Sequence, residues 1–457
     1  MSHAHSDTTT PSGPGGPLDG TALTGTAGAA DVGAEAAVTD VTDVTDTAPD
    51  VTPGEPEMTV VPLREPSGGI PPVVQTSEAL ARTVAAFAAG SGPVAVDAER
   101  ASGYRYGQHT YLVQLRREGA GTALVDPIAL PDLTALSEAL SGAEWVLHAA
   151  SQDLPGLAEQ NLRPDAVFDT ELAARLLGMD RVGLAAVVAE VLGLGLAKEH
   201  SAVDWSTRPL PRDWLLYAAL DVEVLIDLRR ELGARLEEAG KSEWARQEFE
   251  AVRLAPPATP RVEPWRRTSG AHAIRDLRRL AVVRSMWEAR EEDARRRDIS
   301  PGRVLPDAAI VAAAVALPTT AAELTALRPF SGKGTRRRAD QWFAALQSGV
   351  ALPDAELPSL RGPRTDAPPP PRAWADRDPA AAARLIAARA VAAALSQEHQ
   401  VPVENLLQPD VLRRLCWTPP RVLGKDEIAA FLVGGGARPW QVELMAPALA
   451  AAFVTLQ

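Results

Sequence analysis

The stretch GPVAVDAER, residues Gly92 to Arg100, decides how this chain is read. Val94, Ala95 and Val96 form the apolar run of a buried strand, and Asp97 and Glu99 follow it one residue apart. Residues i and i+2 of a strand point to the same side, so both carboxylates converge on one spot wherever the extended geometry persists. Like charges held that close repel, and burial raises the cost. Either a divalent cation between the acids or full solvation at an exposed turn relieves the conflict.

The flanking segments build a sheet around this strand. TYLVQLRR (110–117) and TALVDP (122–127) predict two more strands joined by the turn REGAG. EWVLHA (144–149) and AVFDT (166–170) are further strands, the latter carrying Asp169. Helical spacing marks 77–89, with Ser77 as its cap, and then 133–142, 153–162, 172–178 and 183–193. DWLLYAALDVEVLIDLRRELGARLEEAG (213–240) predicts one long helix. A strand meander followed by alternating helices and strands indicates a mixed α/β sheet domain over 73–255. Beyond the Pro-rich segment APPATPRVEP, only helical patterns occur, over 270–352 and, past RGPRTDAPPPPRAW, over 374–457.

Composition bounds the rest. The chain has 457 residues, enough for several domains, and a net charge of −13. Residues 1–72 are rich in Thr, Ala, Gly, Pro and Asp, carry the repeat VTDVTDVTDT and net −10, as expected of a disordered acidic tail. Residues 73–260 net −10, residues 261–350 net +7, and residues 351–457 are neutral. An acidic protein with one basic module can still present a nucleic-acid-binding face. Cys416 is the single cysteine, which excludes an intrachain disulfide and a cysteine-based zinc cluster and fits the reducing cytoplasm. No secretory signal pattern opens the chain, and no apolar run is expected to span a membrane.

Two further placements bear on the acid pair. Asp153 follows the strand 144–149 at the start of a helix, where it is either a cap or a site residue. Tyr217 and Asp221 stand at i and i+4 on one helix face. Three elements can therefore aim Asp97, Glu99, Asp153 and Asp221 at one point, with Tyr217 beside it.

This set resembles the DEDD superfamily of 3′→5′ exonucleases in its tyrosine-bearing branch, and within it bacterial ribonuclease D. Asp97 and Glu99 match the Asp-x-Glu motif, Asp153 the second motif, and Tyr217 with Asp221 the Tyr-x-x-x-Asp motif. KEHSAVDWSTRPLP (198–211) is similar to the stretch that precedes the third motif. The segment 277–307 resembles an HRDC domain, and 374–457 lies where a second, more divergent module of that type is carried. One stretch departs from the family: Arg100 and ASGYRYGQHTY stand where an aromatic residue often follows the Glu. The resemblance implies a ribonuclease H-like exonuclease domain, two helical HRDC-type domains and two divalent cations, Mg²⁺ or Mn²⁺. In the implied roles Asp97 bridges the cations, Glu99 and Asp221 hold the one that activates water, Asp153 holds the other, and Tyr217 orients the water. The implied substrate is an RNA 3′ end, including tRNA precursors, cut to nucleoside 5′-monophosphates.

Lys198, Trp205 and Arg208 can contact RNA or fix their loop against the core, and the sequence leaves both readings open. Lys333, Arg336, Arg337 and Arg338 are either an RNA-positioning patch or a solvated helix face. His109 and His148 are expected to be structural. Two rival functions stand beside the main one: a DNA 3′→5′ exonuclease using the same acids, and a nucleic-acid-binding protein with a vestigial site.

Overall fold

The computed structural model describes residues 60–196, 200, 202–363 and 366–456. Residues 1–59 of the tail expected over 1–72, and Lys198, lie outside the described residues. Strands are β1 (Val61–Pro62), β2 (Val73–Val74), β3 (Ser91–Arg100), β4 (Thr110–Glu118), β5 (Gly121–Val125), β6 (Glu144–Leu147), β7 (Ala166–Asp169) and β8 (Leu194–Gly195). Six of them form one mixed sheet in the order β2-β5-β4-β3-β6-β7. The hairpins β3-β4 and β4-β5 are antiparallel, and β3-β6 and β6-β7 are parallel.

Strand β3 continues through the acids to Arg100, so the alternation of a strand governs them. Val94, Val96 and Ala98 turn into the core on one face, together with Val113, Leu115, Trp145 and Leu147 of its neighbours. Ala95 joins the core on the other face, and Asp97 and Glu99 continue that row. The acids thus sit where the pattern of a central strand calls for buried apolar residues.

Several elements differ from the sequence expectation. The first helix begins at Ser77, yet its cap is Thr76, whose hydroxyl accepts from the Ala79 amide at 3.2 Å. The helix predicted over 213–240 divides at Val224, giving Arg212–Glu223 and Leu225–Glu238. At the break Glu223 pairs with Arg116 of β4 at 3.0 Å. The tail does not extend to residue 72: β1 pairs in parallel with β8, and the Leu63 amide donates to the Gly195 carbonyl at 2.9 Å. A strand of two residues in a Pro-rich setting has no periodicity to read.

Both later segments are helical. The basic one packs its own core around the long helix Leu277–Arg297, with Trp342, Phe330 and Met286 fully buried. The C-terminal helices share a continuous core with the sheet domain, reaching from Phe168 and Leu228 to Leu415 and Phe453. Trp440 stacks on Trp244 at 4.7 Å and donates its indole N–H to buried Glu248 at 2.9 Å. Among the described residues one helix, Pro379–His399, is long and apolar enough to cross a membrane, contrary to the expectation of none. Its Ala381, Leu385, Ala388 and Ala392 recur at helical spacing and bury into that shared core.

Candidate active site

Asp97, Glu99 and Asp221 each bring one carboxylate oxygen within 4.8 Å of the others. Asp97 and Glu99 arrive from β3 by the two-residue repeat. Asp221 arrives from the helix Arg212–Glu223, which packs on β3, β4 and β5. Tyr217 stands one turn earlier on that helix, beside the Asp221 carboxylate. Glu99 and Asp221 are each only 9 % exposed. Burial pushes the carboxyl groups of Glu99 and Asp221 well above the ordinary range, and the neighbouring Asp97 charge adds to it. The Tyr217 phenol is raised too, first by burial and then by Asp221.

Asp153 stands beside this trio. It occupies the N-cap position of the helix Leu154–Glu159, but its side chain makes no capping hydrogen bond there. It is 6 % exposed, and burial first, then the charge of Asp97, raises its pKa. Arg100 lies 3.8 Å from Asp153 and donates to the Gln152 carbonyl at 2.9 Å. A turn through Ala149, in the left-handed region at φ 58°, delivers Asp153 to the site. Asp169 holds that turn by accepting from the Ala149 and Ala150 amides at 3.1 and 2.8 Å while it caps the helix Thr170–Leu176. Burial, partly offset by those amides, pushes the Asp169 carboxyl up to about 6.

Sequence reasoning missed Gln114. It sits opposite Asp97 on β4, fully buried, and its amide donates to Asp97 and Glu99, at 3.3 Å each. Its own carbonyl oxygen has no hydrogen-bond partner among the described residues. The only available signal was a polar residue inside the apolar strand TYLVQL.

The arrangement fits divalent cations. Oxygen-only donors suit hard ions such as Mg²⁺ or Mn²⁺, and buried acids that repel one another gain from a shared positive charge. The other predicted contacts fare differently. Trp205 is fully buried, 5.5 Å from the Trp214 ring and 6.4 Å from the Tyr217 ring, so it is corrected from an RNA contact to a core residue. Arg208 is corrected likewise: its guanidinium is spent on both oxygens of Asp126, at 2.7 and 2.8 Å, and on the Tyr111 and Trp205 carbonyls. Lys333, Arg336 and Arg337 are exposed, while Arg338 pairs with buried Asp293 at 3.2 Å. His148 bonds Thr170 at 2.9 Å, and His109 bonds Glu159 at 2.8 Å, both away from the acids.

The comparisons with known proteins agree with this geometry. Residues 71–237 match the model of a 3′-5′ exonuclease, 279–346 that of the HRDC domain, and 367–453 that of a 3′ to 5′ exonuclease C-terminal domain. Ribonuclease D of Acidiphilium cryptum is 35% identical over 316 residues, which are 66% of this chain and 79% of that protein. The chain belongs to the ribonuclease D family. Ribonuclease D of Nitrobacter hamburgensis is 36% identical over 230 residues, and there the match spans 48% of this chain and 58% of the relative. The crystal structure of Escherichia coli RNase D, described as an exoribonuclease involved in structured RNA processing, superposes with a TM-score of 0.60. It is 25% identical and covers 84% of this chain and 98% of its own. The RNase D likeness therefore spans all three folded parts.

Proposed function

We propose that the chain is a metal-dependent 3′→5′ exoribonuclease that removes nucleoside 5′-monophosphates from RNA 3′ ends, with tRNA precursors among its substrates. The observation that carries this reading is the convergence of Asp97, Glu99 and Asp221 within 4.8 Å, beside Tyr217. Family membership supports RNA as the polymer, and the exposed Lys333, Arg336 and Arg337 of the HRDC domain supply a cationic surface for its phosphates.

In this reading Asp97, Glu99, Asp153 and Asp221 hold two divalent cations, Mg²⁺ or Mn²⁺, which supply charge stabilisation for the entering and leaving oxygens of phosphodiester hydrolysis. Gln114 fixes the direction of the Asp97 and Glu99 carboxylates. Asp169 sets the position of Asp153 through the Ala149–Ala150 turn. Tyr217, its ring 6.4 Å from that of Trp205 and its phenol raised by burial and by Asp221, keeps its proton at neutral pH and orients the attacking water. A cavity of 760 Å³ opens beside Tyr217 and Asp221 between Leu63, Leu196 and Leu216, with room for a terminal nucleotide. A cytoplasmic setting belongs to the same reading, supported by the lone, buried Cys416, whose thiol burial pushes up to about 12.

The test uses 5′-labelled single-stranded RNA and matching DNA with Mg²⁺, Mn²⁺ or EDTA. RNA is expected to shorten in single-nucleotide steps with either metal and to stay intact in EDTA. Faster loss of DNA than of RNA would favour the DNA exonuclease instead.

A further inference from the structure

Between Arg100 and Thr110 the chain leaves the sheet as the loop ASGYRYGQH, residues 101–109, the segment in which the sequence departs from its family. Its two tyrosines belong to different cores. Tyr104 packs against the buried cluster of Leu112, Trp205 and Ala218, the same cluster against which Tyr217 packs. Tyr106 packs against the core of the HRDC domain. The Tyr106 hydroxyl accepts from Arg295 at 3.1 Å.

The backbone of the loop is held from the same side. The Ser300 amide donates to the Tyr104 carbonyl at 2.9 Å. The Tyr106 amide donates to Asp298 at 3.1 Å. Arg303 donates to the Gly103 carbonyl at 2.7 Å and lays its guanidinium 3.9 Å over the Tyr104 ring. From the loop, Arg105 reaches Asp298 at 3.6 Å and donates to Ser206 at 2.7 Å, one residue beyond Trp205. The exposed Arg105–Asp298 pair contributes little by itself. The hydrogen bonds to the loop backbone, one neutral and two with a charged partner, and the stacked cation carry the attachment. Asp298 occupies the left-handed C-cap of the helix Leu277–Arg297, so the end of that helix fixes where its carboxylate stands.

We propose that loop 101–109 is a strap through which the HRDC domain holds one wall of the catalytic site. Arg303 and Asp298 are positioning residues for the reaction: they act on Tyr217 through Tyr104 and the Trp205–Ser206 turn. This rests on the exonuclease reading of the acid cluster. It differs from a role for the HRDC domain as an RNA grip alone, because a strap matters equally for a substrate too short to touch the basic surface.

The experiment compares the full chain with Arg303→Ala/Asp298→Ala, Tyr104→Ala and Tyr104→Phe on a trinucleotide RNA and on a long RNA. Amide exchange of residues 101–109 is followed in parallel. The double variant and Tyr104→Ala are expected to lose tenfold or more in kcat on both substrates, with KM changed less. The double variant should also exchange the Tyr106 amide faster. Tyr104→Phe, which keeps the ring under Arg303, should stay near wild type. If the double variant does not fold, Arg303→Gln is measured in its place. Unchanged kcat on the trinucleotide, or a loss confined to KM for the long RNA, would overturn the strap. So would unchanged exchange in the loop. A wild-type chain that shortens neither RNA would instead overturn the exonuclease reading, and the exchange data would still decide whether the strap exists.

Discussion

Gln114 shows what a single side chain contributes to this site. Its amide is a neutral donor shared by Asp97 and Glu99, and the antiparallel register places it there. Replacing it with Leu keeps the strand filled but removes both hydrogen bonds. Gln114→Leu is expected to weaken Mn²⁺ binding about 10–100-fold, as losses behind metal ligands commonly do. Calorimetric titration checks this, and unchanged affinity would make Gln114 a packing residue only. The acids themselves were legible in the sequence, because a two-residue repeat on a strand and a four-residue repeat on a helix dictate direction. Gln114 was not, because its role depends on which residue of β3 it faces. Trp205 and Arg208 stood open between two roles for the same reason: burial and the Asp126 partnership are properties of the folded chain.

At the scale of elements, the β6–β7 edge carries a built-in pH response. Thr170 sends its own hydroxyl proton to the Leu147 carbonyl at 3.1 Å, so it can only accept from His148, whose Nδ1 therefore carries the hydrogen. Burial lowers the His148 pKa from 6.5 to about 4. The unfolded chain then takes up this proton first as pH falls, and stability drops between about pH 6.5 and 4, by up to about 3 kcal/mol. Asp169, raised from 3.8 to about 6, works in the opposite direction over the same range. His148→Asn should remove only the first effect. Urea unfolding of both proteins should show the stability of wild type falling relative to the variant by that amount from pH 7 to 4. Parallel curves would contradict the assignment. The strands and the β3-β4-β5 hairpins were readable from alternation and turn residues. The break at Val224 was not, since the apolar pattern runs through it and the partner of Glu223 lies on another element.

For the whole molecule, the Pro-rich segments marked changes of domain in the sequence, yet one core joins the sheet domain before the first of them to the C-terminal helices after the second, while the basic module between them keeps its own. Helix Ser242–Arg253 links the two parts: Trp244 stacks on Trp440, and Glu248 takes both the Trp440 indole and Arg438, the latter at 3.1 Å. Trp440→Ala would open a large cavity and strip buried Glu248 of one donor. We expect a loss of about 3–5 kcal/mol, felt in the sheet domain as well as in the C-terminal helices. Amide exchange in helix Leu225–Glu238 reports it, and protection unchanged there would mean that the two parts unfold independently. No periodicity within either segment could show this, because the shared core is assembled from residues some 200 positions apart.

On our proposal, the two acids on β3 make the chain a 3′-end ribonuclease. This is tested most directly with RNA labelled on its 3′-terminal nucleotide, incubated in Mn²⁺ with wild type and with Asp97→Ala. Wild type is expected to release the label first, as the nucleoside 5′-monophosphate, and Asp97→Ala to release it at least a thousandfold more slowly while binding the RNA equally well. Label released within longer fragments, or at the same rate by Asp97→Ala, would contradict it.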